Sequence, residues 1–177
     1  MQINKNDHVK IFKDDNEYSF QFSVLNPFIY LDKIITFDFI KILCEINAKI
    51  VQNSAIDILT NETAEVYILL NWLFKDAGMP QTGMQLSLTR HQLSPNIIQF
   101  IGAPIAEVNK SFFPNAVQLL NINKMEFLFN TSDKHNIGIS IKVNLNENIP
   151  TFYENIVMQM GCKLIMNVKQ FIENARV

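Results

Sequence analysis

Three histidines are the side chains best suited to acid–base or metal chemistry in this sequence. His8, His91 and His135 lie in three separate polar stretches. None stands beside a Ser or Cys nucleophile, and none belongs to a metal-binding pattern such as His-Glu-x-x-His. The pattern therefore indicates solvated loop histidines rather than catalytic or metal-binding ones.

The carboxylates give no stronger signal. Asp14 with Asp15, Asp57, and Asp76 with Glu154 are the candidate acid–base groups. A catalytic carboxylate needs an environment that shifts its pKa, and nothing in the sequence supplies one at these positions. They are interpreted as surface charges.

Cys44 and Cys162 are far apart, without a Cys-x-x-Cys pair or a histidine at metal spacing. Two buried thiols are expected, with neither a disulfide nor a zinc site. The sequence also lacks Gly-x-Gly-x-x-Gly and Gly-x-x-x-x-Gly-Lys-Ser/Thr, the turns that cradle phosphates. We therefore predict no catalytic, cofactor-binding or metal-binding residue and no cofactor.

Composition narrows the class of protein. With 177 residues, of which 48% are hydrophobic and 14 are Phe, the chain can fill one sizeable core. The net charge of −2 and the lack of a basic run argue against nucleic-acid binding. No apolar run spans a membrane, and the start of the chain lacks a signal peptide, so we expect a cytoplasmic protein without a membrane partner. Only 18% of residues are charged, which favours a homodimer or a docking protein.

Hydrophobic periodicity predicts mixed α/β structure. From Thr36, a natural N-cap, one apolar face continues to about Gln52 and indicates a helix. A strand is expected at 55–59, and a largely buried helix at 66–74, ending before Gly78. Residues 84–88 and 97–101 are predicted as strands, and 5–28 fits either strands or the end of a helix.

The second half carries the clearest β pattern. Residues 125–129 and 137–145 alternate around a polar turn, as an antiparallel hairpin does. A short helix is expected at 114–120, beginning with a proline. The capping box from Thr151 to Glu154 opens a helix expected to stop at Gly161, with a strand at 162–168.

Asn71 and Trp72 stand on the predicted buried helix. A buried Asn most often satisfies a structural hydrogen bond, and a ligand contact is the alternative.

Several of these runs resemble one known family. The run from Val66 to Thr89 is similar to the helix, Pro/Gly turn and strand of the histidine-kinase ATPase fold. Residues 96–105 and 113–120 resemble the next strand, Gly turn and short helix of ChpT-type histidine phosphotransferases. Residues 153–168 resemble their late helix, Gly and strand, and 36–58 the elements before the Asn-bearing helix. Together these cover about two thirds of the chain.

The resemblance implies a fold and a domain division. The fold would be a two-layer α+β sandwich, a degenerate histidine-kinase ATPase-like domain with helices on one mixed sheet. Residues 31–177 would form this domain with a hairpin insertion at 124–145, and residues 1–30 would include the end of a dimerisation helix.

The resemblance also implies a function without ATP. Lys75 and the turn at 100–104 stand where the kinase fold has its Mg²⁺-holding Asn and its adenine-binding turn. The family's phosphoacceptor motif, Leu-Cys-His-Asp, has no counterpart, and His8 lacks the following Asp. We therefore expect a phosphotransferase-like phosphorelay protein that docks response-regulator receiver domains without a phosphoacceptor. The alternatives are a non-catalytic interaction module, either adaptor or chaperone, and a small-molecule enzyme.

Overall fold

One antiparallel sheet dominates the computed structural model, which describes residues 2–6, 9–72, 75–146 and 151–176. The strands lie in the order β1-β2-β3-β10-β9-β7-β6-β5-β4, and β8 pairs with β6. The strands are β1 Gln2–Asn6, β2 Val9–Asp14, β3 Glu17–Leu25, β4 Val51–Ile58, β5 Thr63–Leu70, β6 Thr82–Ser94, β7 Ile97–Pro104, β8 Gln118–Leu119, β9 Ile122–Asp133 and β10 Asn136–Leu145. The helices are α1 Phe37–Glu45 and α2 Thr151–Asn174, with short 3-10 helices at Leu31–Lys33 and Lys75–Ala77.

The expected mixed sheet of an ATPase-like sandwich is wrong. Every pairing along the strand order is antiparallel, and the one parallel pairing joins two-residue β8 to β6. A mixed sheet needs crossover connections, usually helical, between parallel strands. Here short turns connect β2 to β3, β4 to β5, β6 to β7 and β9 to β10.

The ambiguous N-terminal stretch forms strands. Tyr18, Phe20, Phe22 and Val24 are buried on alternate positions of β3, which pairs with β2 on one side and β10 on the other. Strict alternation is the signature of a strand with one covered face. The turn before β3 places Asp15 at φ 47°, a left-handed conformation that Asp tolerates.

The predicted hairpin at 125–145 is confirmed, as β9 and β10. The hairpin is not the expected insertion, however, because it lies in the middle of the sheet, between β3 and β7. The hairpin therefore joins the N-terminal strands to the β4–β7 meander.

The helix predicted at 66–74 is wrong, because β5 occupies Thr63–Leu70. Its apolar run is continuous because both faces of β5 are covered. Ala64 and Val66 belong to the main core, whereas Tyr67 and Leu69 pack with Phe113 on the opposite face. A strand buried on both faces has no alternation, and periodicity cannot then distinguish it from a buried helix.

Two other helix boundaries differ from expectation. Thr36 caps α1 as predicted, since its Oγ accepts from the Phe39 amide at 3.3 Å, but α1 ends at Glu45 rather than near Gln52. Buried Asn47 donates from its side chain to the Leu43 carbonyl, which satisfies one of the last carbonyls of the helix. The short helix expected at 114–120 is absent, and this stretch holds a turn and β8.

The helix expected to stop at Gly161 continues to Asn174, so the predicted strand at 162–168 is helical. Gly161 serves close packing instead of termination. A Cβ there would lie 3.0 Å from the Phe20 ring, so its absence lets α2 approach β3. The side chains of Thr151 to Tyr153 lie outside the described part of the structure, and with them the predicted capping box.

The C-terminal end of α2 is held on the sheet by Asn26, which is fully buried. Its side-chain amide donates to the carbonyls of Ile172 at 2.6 Å and Ala175 at 2.9 Å. Its side-chain oxygen accepts from the Phe28 amide at 2.8 Å, and its backbone amide donates to the His135 carbonyl. One side chain thus joins the end of α2, the loop after β3 and the β9–β10 turn.

We predict that Asn26→Ala lowers the free energy of unfolding by about 2–3 kcal/mol, because buried carbonyls lose their donors. Urea denaturation followed by circular dichroism measures the change. Asn53→Ala, at an exposed position of β4, is the matched control and should change stability by less than about 0.5 kcal/mol. Equal effects at the two positions would contradict the proposed role of Asn26.

Candidate functional site

The two faces of the sheet have different surroundings. We call the face that carries Val24, Phe22, Leu88 and Phe100 the inner face. Its side chains pack in one core with residues of α1 and α2. The outer face carries a separate small cluster, in which Tyr67, Leu69 and Phe113 pack under the loop that leads to β8. Only the inner face lies beneath the helices.

Aromatic side chains fill one part of the inner face. Phe100 on β7 packs edge-to-face with Phe37 of α1, with ring centroids 5.4 Å apart, and with Phe129 of β9 at 5.9 Å. Phe100 is only 2% exposed. α1 therefore closes the inner face over this end of β7 and β9.

Elsewhere the inner face is incompletely covered. Met125 and Phe127 lie on β9, the central strand, yet both remain partly exposed. In a fully packed sandwich the centre of the covered face would be the most buried region. Several partly exposed apolar side chains share the inner face with them, and we call the set the inner strip: Ile56, Ile68, Met84, Met125, Phe127 and Ile141.

Strand register places the members of the inner strip on one face of the sheet. Ile68 lies opposite Met84, and Phe127 lies opposite Ile141. Gly102 lies between these pairs, opposite Met125, and a Cβ there would come within 3.3 Å of Met125 and of buried leucines on β6. The glycine therefore lets side chains from β6 and β9 meet across β7.

Away from β2 and β3, the inner face carries almost no charge. Among the described residues at the inner-face positions of β4–β7, β9 and β10, only Arg90 is charged. It lies opposite Phe100. Its guanidinium lies 3.4 Å from the side-chain oxygen of Gln92. α2 adds Cys162 and Met166 to this core. Such a surface suits an uncharged apolar ligand and lacks groups for acid–base chemistry.

Both cysteines are free; Cys44 is buried and Cys162 half-buried. Burial raises the pKa of each thiol above its usual value. A raised pKa keeps a cysteine as the neutral thiol at neutral pH, and the thiolate is the nucleophile. Neither cysteine is therefore poised for nucleophilic chemistry.

The two histidines that the structure describes lie on different elements. His91 is exposed on β6, and His8 lies outside the described residues. His135 is not a freely solvated loop residue, because its Nδ1 lies 3.1 Å from the Asn26 carbonyl and 2.9 Å from that of Ile29. Carbonyls only accept, so Nδ1 carries the hydrogen, and His135 has a structural role in the β9–β10 turn.

The candidate carboxylates are also apart. Asp14, Asp15, Asp57 and Asp76 are exposed. Glu154, in the first turn of α2, pairs with Lys13 at 2.6 Å and accepts from the Tyr18 hydroxyl at 3.2 Å. Among the described residues no group of three or more His, Cys, Asp or Glu side chains could hold a metal ion.

Asn71 and Trp72 follow β5 in a loop instead of lying on a buried helix. The Asn71 side chain donates to the Ala48 carbonyl at 3.1 Å, a structural hydrogen bond. Trp72 is 46% exposed, and Lys75 lies over its ring at 5.5 Å. Residues 100–104, compared above with an adenine-binding turn, lie at the end of β7.

Similar architecture occurs in lipid-transfer proteins of known structure. The match to the human StarD13 (DLC2) lipid transfer and protein localization domain has a TM-score of 0.74 and 10% sequence identity. It covers 99% of this chain and 89% of that domain. For human STARD10 the TM-score is 0.68 and the sequence identity 9%, and the match covers 96% of this chain and 71% of that chain. For a STAR-related lipid transfer protein fragment from Xanthomonas axonopodis the TM-score is 0.65 and the sequence identity 11%, and the match covers 97% of each chain.

The chain has the helix-grip fold of these domains. No family model and no curated protein matches the sequence. Because the identities are so low, the likeness to the helix-grip domains is one of fold alone.

The likeness overturns the resemblance to ChpT-type phosphotransferases. The neighbours are helix-grip domains, with one antiparallel sheet and a long C-terminal helix, and not ATPase-like sandwiches. The expectation of a phosphorelay protein in two-component signalling is therefore wrong, and the alternative of a non-catalytic interaction module agrees better with the findings. Within the described residues, no helix has the length and apolarity to cross a membrane.

The inner strip was missed by sequence reasoning. Its signal was present in the alternating Met125, Phe127, Phe129 and Ile137, Ile139, Ile141 of the predicted hairpin. That hairpin was assigned as an insertion, so its apolar face had no partner in the expected fold.

The contact of Glu154 with Lys13 and Tyr18 generates a pH prediction. The Glu154 hydrogen bond raises the pKa of Lys13 above 10.5, and burial, followed by the Glu154 charge, raises that of Tyr18 above 10.0. With both pKa values raised, the folded protein holds these protons more tightly than the unfolded chain does. The contribution of these two groups to the free energy of unfolding is therefore fully present below about pH 10 and is lost as the pH rises above it.

In Glu154→Gln we expect this alkaline loss to be smaller, because the charge that favours both protonated forms is gone. Urea denaturation at pH 8, 10 and 11 measures it. Glu17→Gln, which removes the exposed contact with Lys142 at 3.8 Å, is the control and should keep the wild-type pH dependence. The same slope in all three proteins would contradict this assignment.

Proposed function

We propose that the protein binds a hydrophobic small molecule, of the lipid class, between the inner strip and α2. The observation that carries the proposal is the accessible apolar surface of Met125 and Phe127 on the central strand, in the covered face of the sheet. Uncovered apolar surface costs free energy, at about 25 cal/mol per Å². A bound hydrocarbon would remove that cost.

The fold supports the same proposal. The neighbouring structures are named as lipid-transfer domains, and they share the antiparallel sheet and the long C-terminal helix. The scarcity of charge on the inner face favours a ligand that is uncharged where it contacts the sheet. Three methionines, Met84 and Met125 on the sheet and Met166 on α2, add flexible side chains that adapt to ligands of different shape.

Binding, rather than catalysis, is the proposed activity. The cysteines are held as thiols, and the described residues at the inner-face positions of β4–β7, β9 and β10 bring no nucleophile and base together. Both cysteines are free, which fits a reducing compartment, and we propose a cytoplasmic location on this ground.

The test is to fill the inner strip. Met125→Trp adds bulk at the centre of the inner face and should weaken binding about tenfold or more, because the ligand and the new ring compete for one space. Leu128→Trp is the matched control, since Leu128 lies on the same strand but on the outer face, opposite Gln99 and Ser140. It should leave binding unchanged.

Binding is measured by the fluorescence of NBD-labelled phosphatidylcholine and an NBD-labelled sterol, taken up from unlabelled phosphatidylcholine vesicles. Native mass spectrometry of the purified protein checks for a copurified lipid. Thermal melts show whether each variant folds. Equal losses in both folded variants, or no uptake of either probe and no copurified lipid by the wild type, would sink the proposal.

A further inference from the structure

A second apolar surface lies between α1 and the end of α2. Here α1 and the last turns of α2 leave a groove of about 290 Å³, whose lining includes Ile34, Phe39, Ile42 and Phe171. Ile42 is 39% exposed and Phe171 43% exposed. Two large apolar side chains are thus presented to solvent within one concavity.

The apolar groove continues into a polar one. A second concavity of about 650 Å³ shares Phe171 and Ala175 with the first. Its polar lining includes Lys49, from the turn after α1, and Lys163, from the middle of α2. Among the described residues, no acidic side chain lines this second part. We call the two parts together the helix groove.

The cations of the helix groove are free to take an anion. In the described residues neither Lys49 nor Lys163 forms an ion pair, whereas Lys169 on the same helix pairs with Glu173. Asp38, the acidic residue of the apolar part, lies at the other end of the groove, at the start of α1. Polarity therefore changes along the groove, from hydrocarbon-like to basic.

We propose that the helix groove binds a single-chain anionic amphiphile. Its hydrocarbon chain would lie beside Ile42 and Phe171, and its carboxylate or phosphate head beside Lys49 and Lys163. The volume of the basic part, about 650 Å³, falls within the roughly 300–1,000 Å³ typical of small-molecule sites, and that of the apolar part, about 290 Å³, lies just below this range. A concave surface with a basic end fits one molecule of this kind better than it fits a flat membrane. This site shares no lining residue with the inner strip, which is formed by strands of the sheet.

The test uses dodecanoate and dodecyl phosphate below their micellar concentrations, with dodecanol as the uncharged match. Backbone amide NMR of the full chain follows each titration. We expect shifts at residues of α1 and in the second half of α2, and weaker binding of dodecanol than of the two anions. Lys49→Gln with Lys163→Gln should weaken both anions about threefold to tenfold and leave dodecanol unchanged.

Matched variants separate the alternatives. Lys10→Gln with Lys110→Gln removes the same charge at exposed positions outside the groove and should have no effect. Phe171→Gln should weaken all three probes. Met125→Trp, which fills the inner strip, should leave groove binding intact, so that failure of either proposal is seen independently.

Three results would overturn the helix-groove proposal. The first is equal weakening by the two lysine pairs, and the second is loss of the shifts in folded Met125→Trp. The third is a ligand-free dimer, seen by analytical ultracentrifugation, that dissociates in Phe171→Gln, because a second copy would then occupy the groove.

Discussion

The position of the long helix depends on the buried side chain of Asn26. A fully buried amide must satisfy its donors and acceptor, and here all of them are used on the end of α2 and the loop after β3. Farther along, Lys169 donates to the Ser23 carbonyl at 2.7 Å, and Glu154 holds the first turn near Tyr18. The helix consequently follows β3, at one side of the sheet.

That placement leaves the rest of the inner face to α1, which is too short to cover it. α1 closes the region around Phe100 through Phe37, and the Asn167 side chain of α2 donates at 2.8 Å to the side-chain oxygen of Asn47, in the turn after α1. The surface at Met84 and Met125 lies beyond both. The accessible inner strip is thus a consequence of where α2 is fixed and of how soon α1 ends.

Sequence patterns predicted the elements whose two faces differ. The β9–β10 hairpin alternates cleanly, and Thr36 begins α1 as expected, because one side of each element meets the core and the other meets water. β5 was misassigned because Tyr67 and Leu69 are covered by the loop around Phe113, a contact between distant parts of the chain. The local pattern at Gly161 predicts the end of a helix. Its actual role in packing depends on Phe20, about 140 positions earlier, and a local pattern does not show that contact. The site itself arises from strand order, which local patterns do not encode.

The pairing of β3 with β10 has a consequence for biosynthesis. The two strands are separated by about 110 residues, so the N-terminal strands have no lateral neighbour on that side until β10 has left the ribosome. At about 5–20 residues per second, the wait is on the order of ten seconds. During it, the edge of β3 that will pair with β10 keeps its backbone amides and carbonyls unpaired, beside the apolar face of Phe20, Phe22 and Val24.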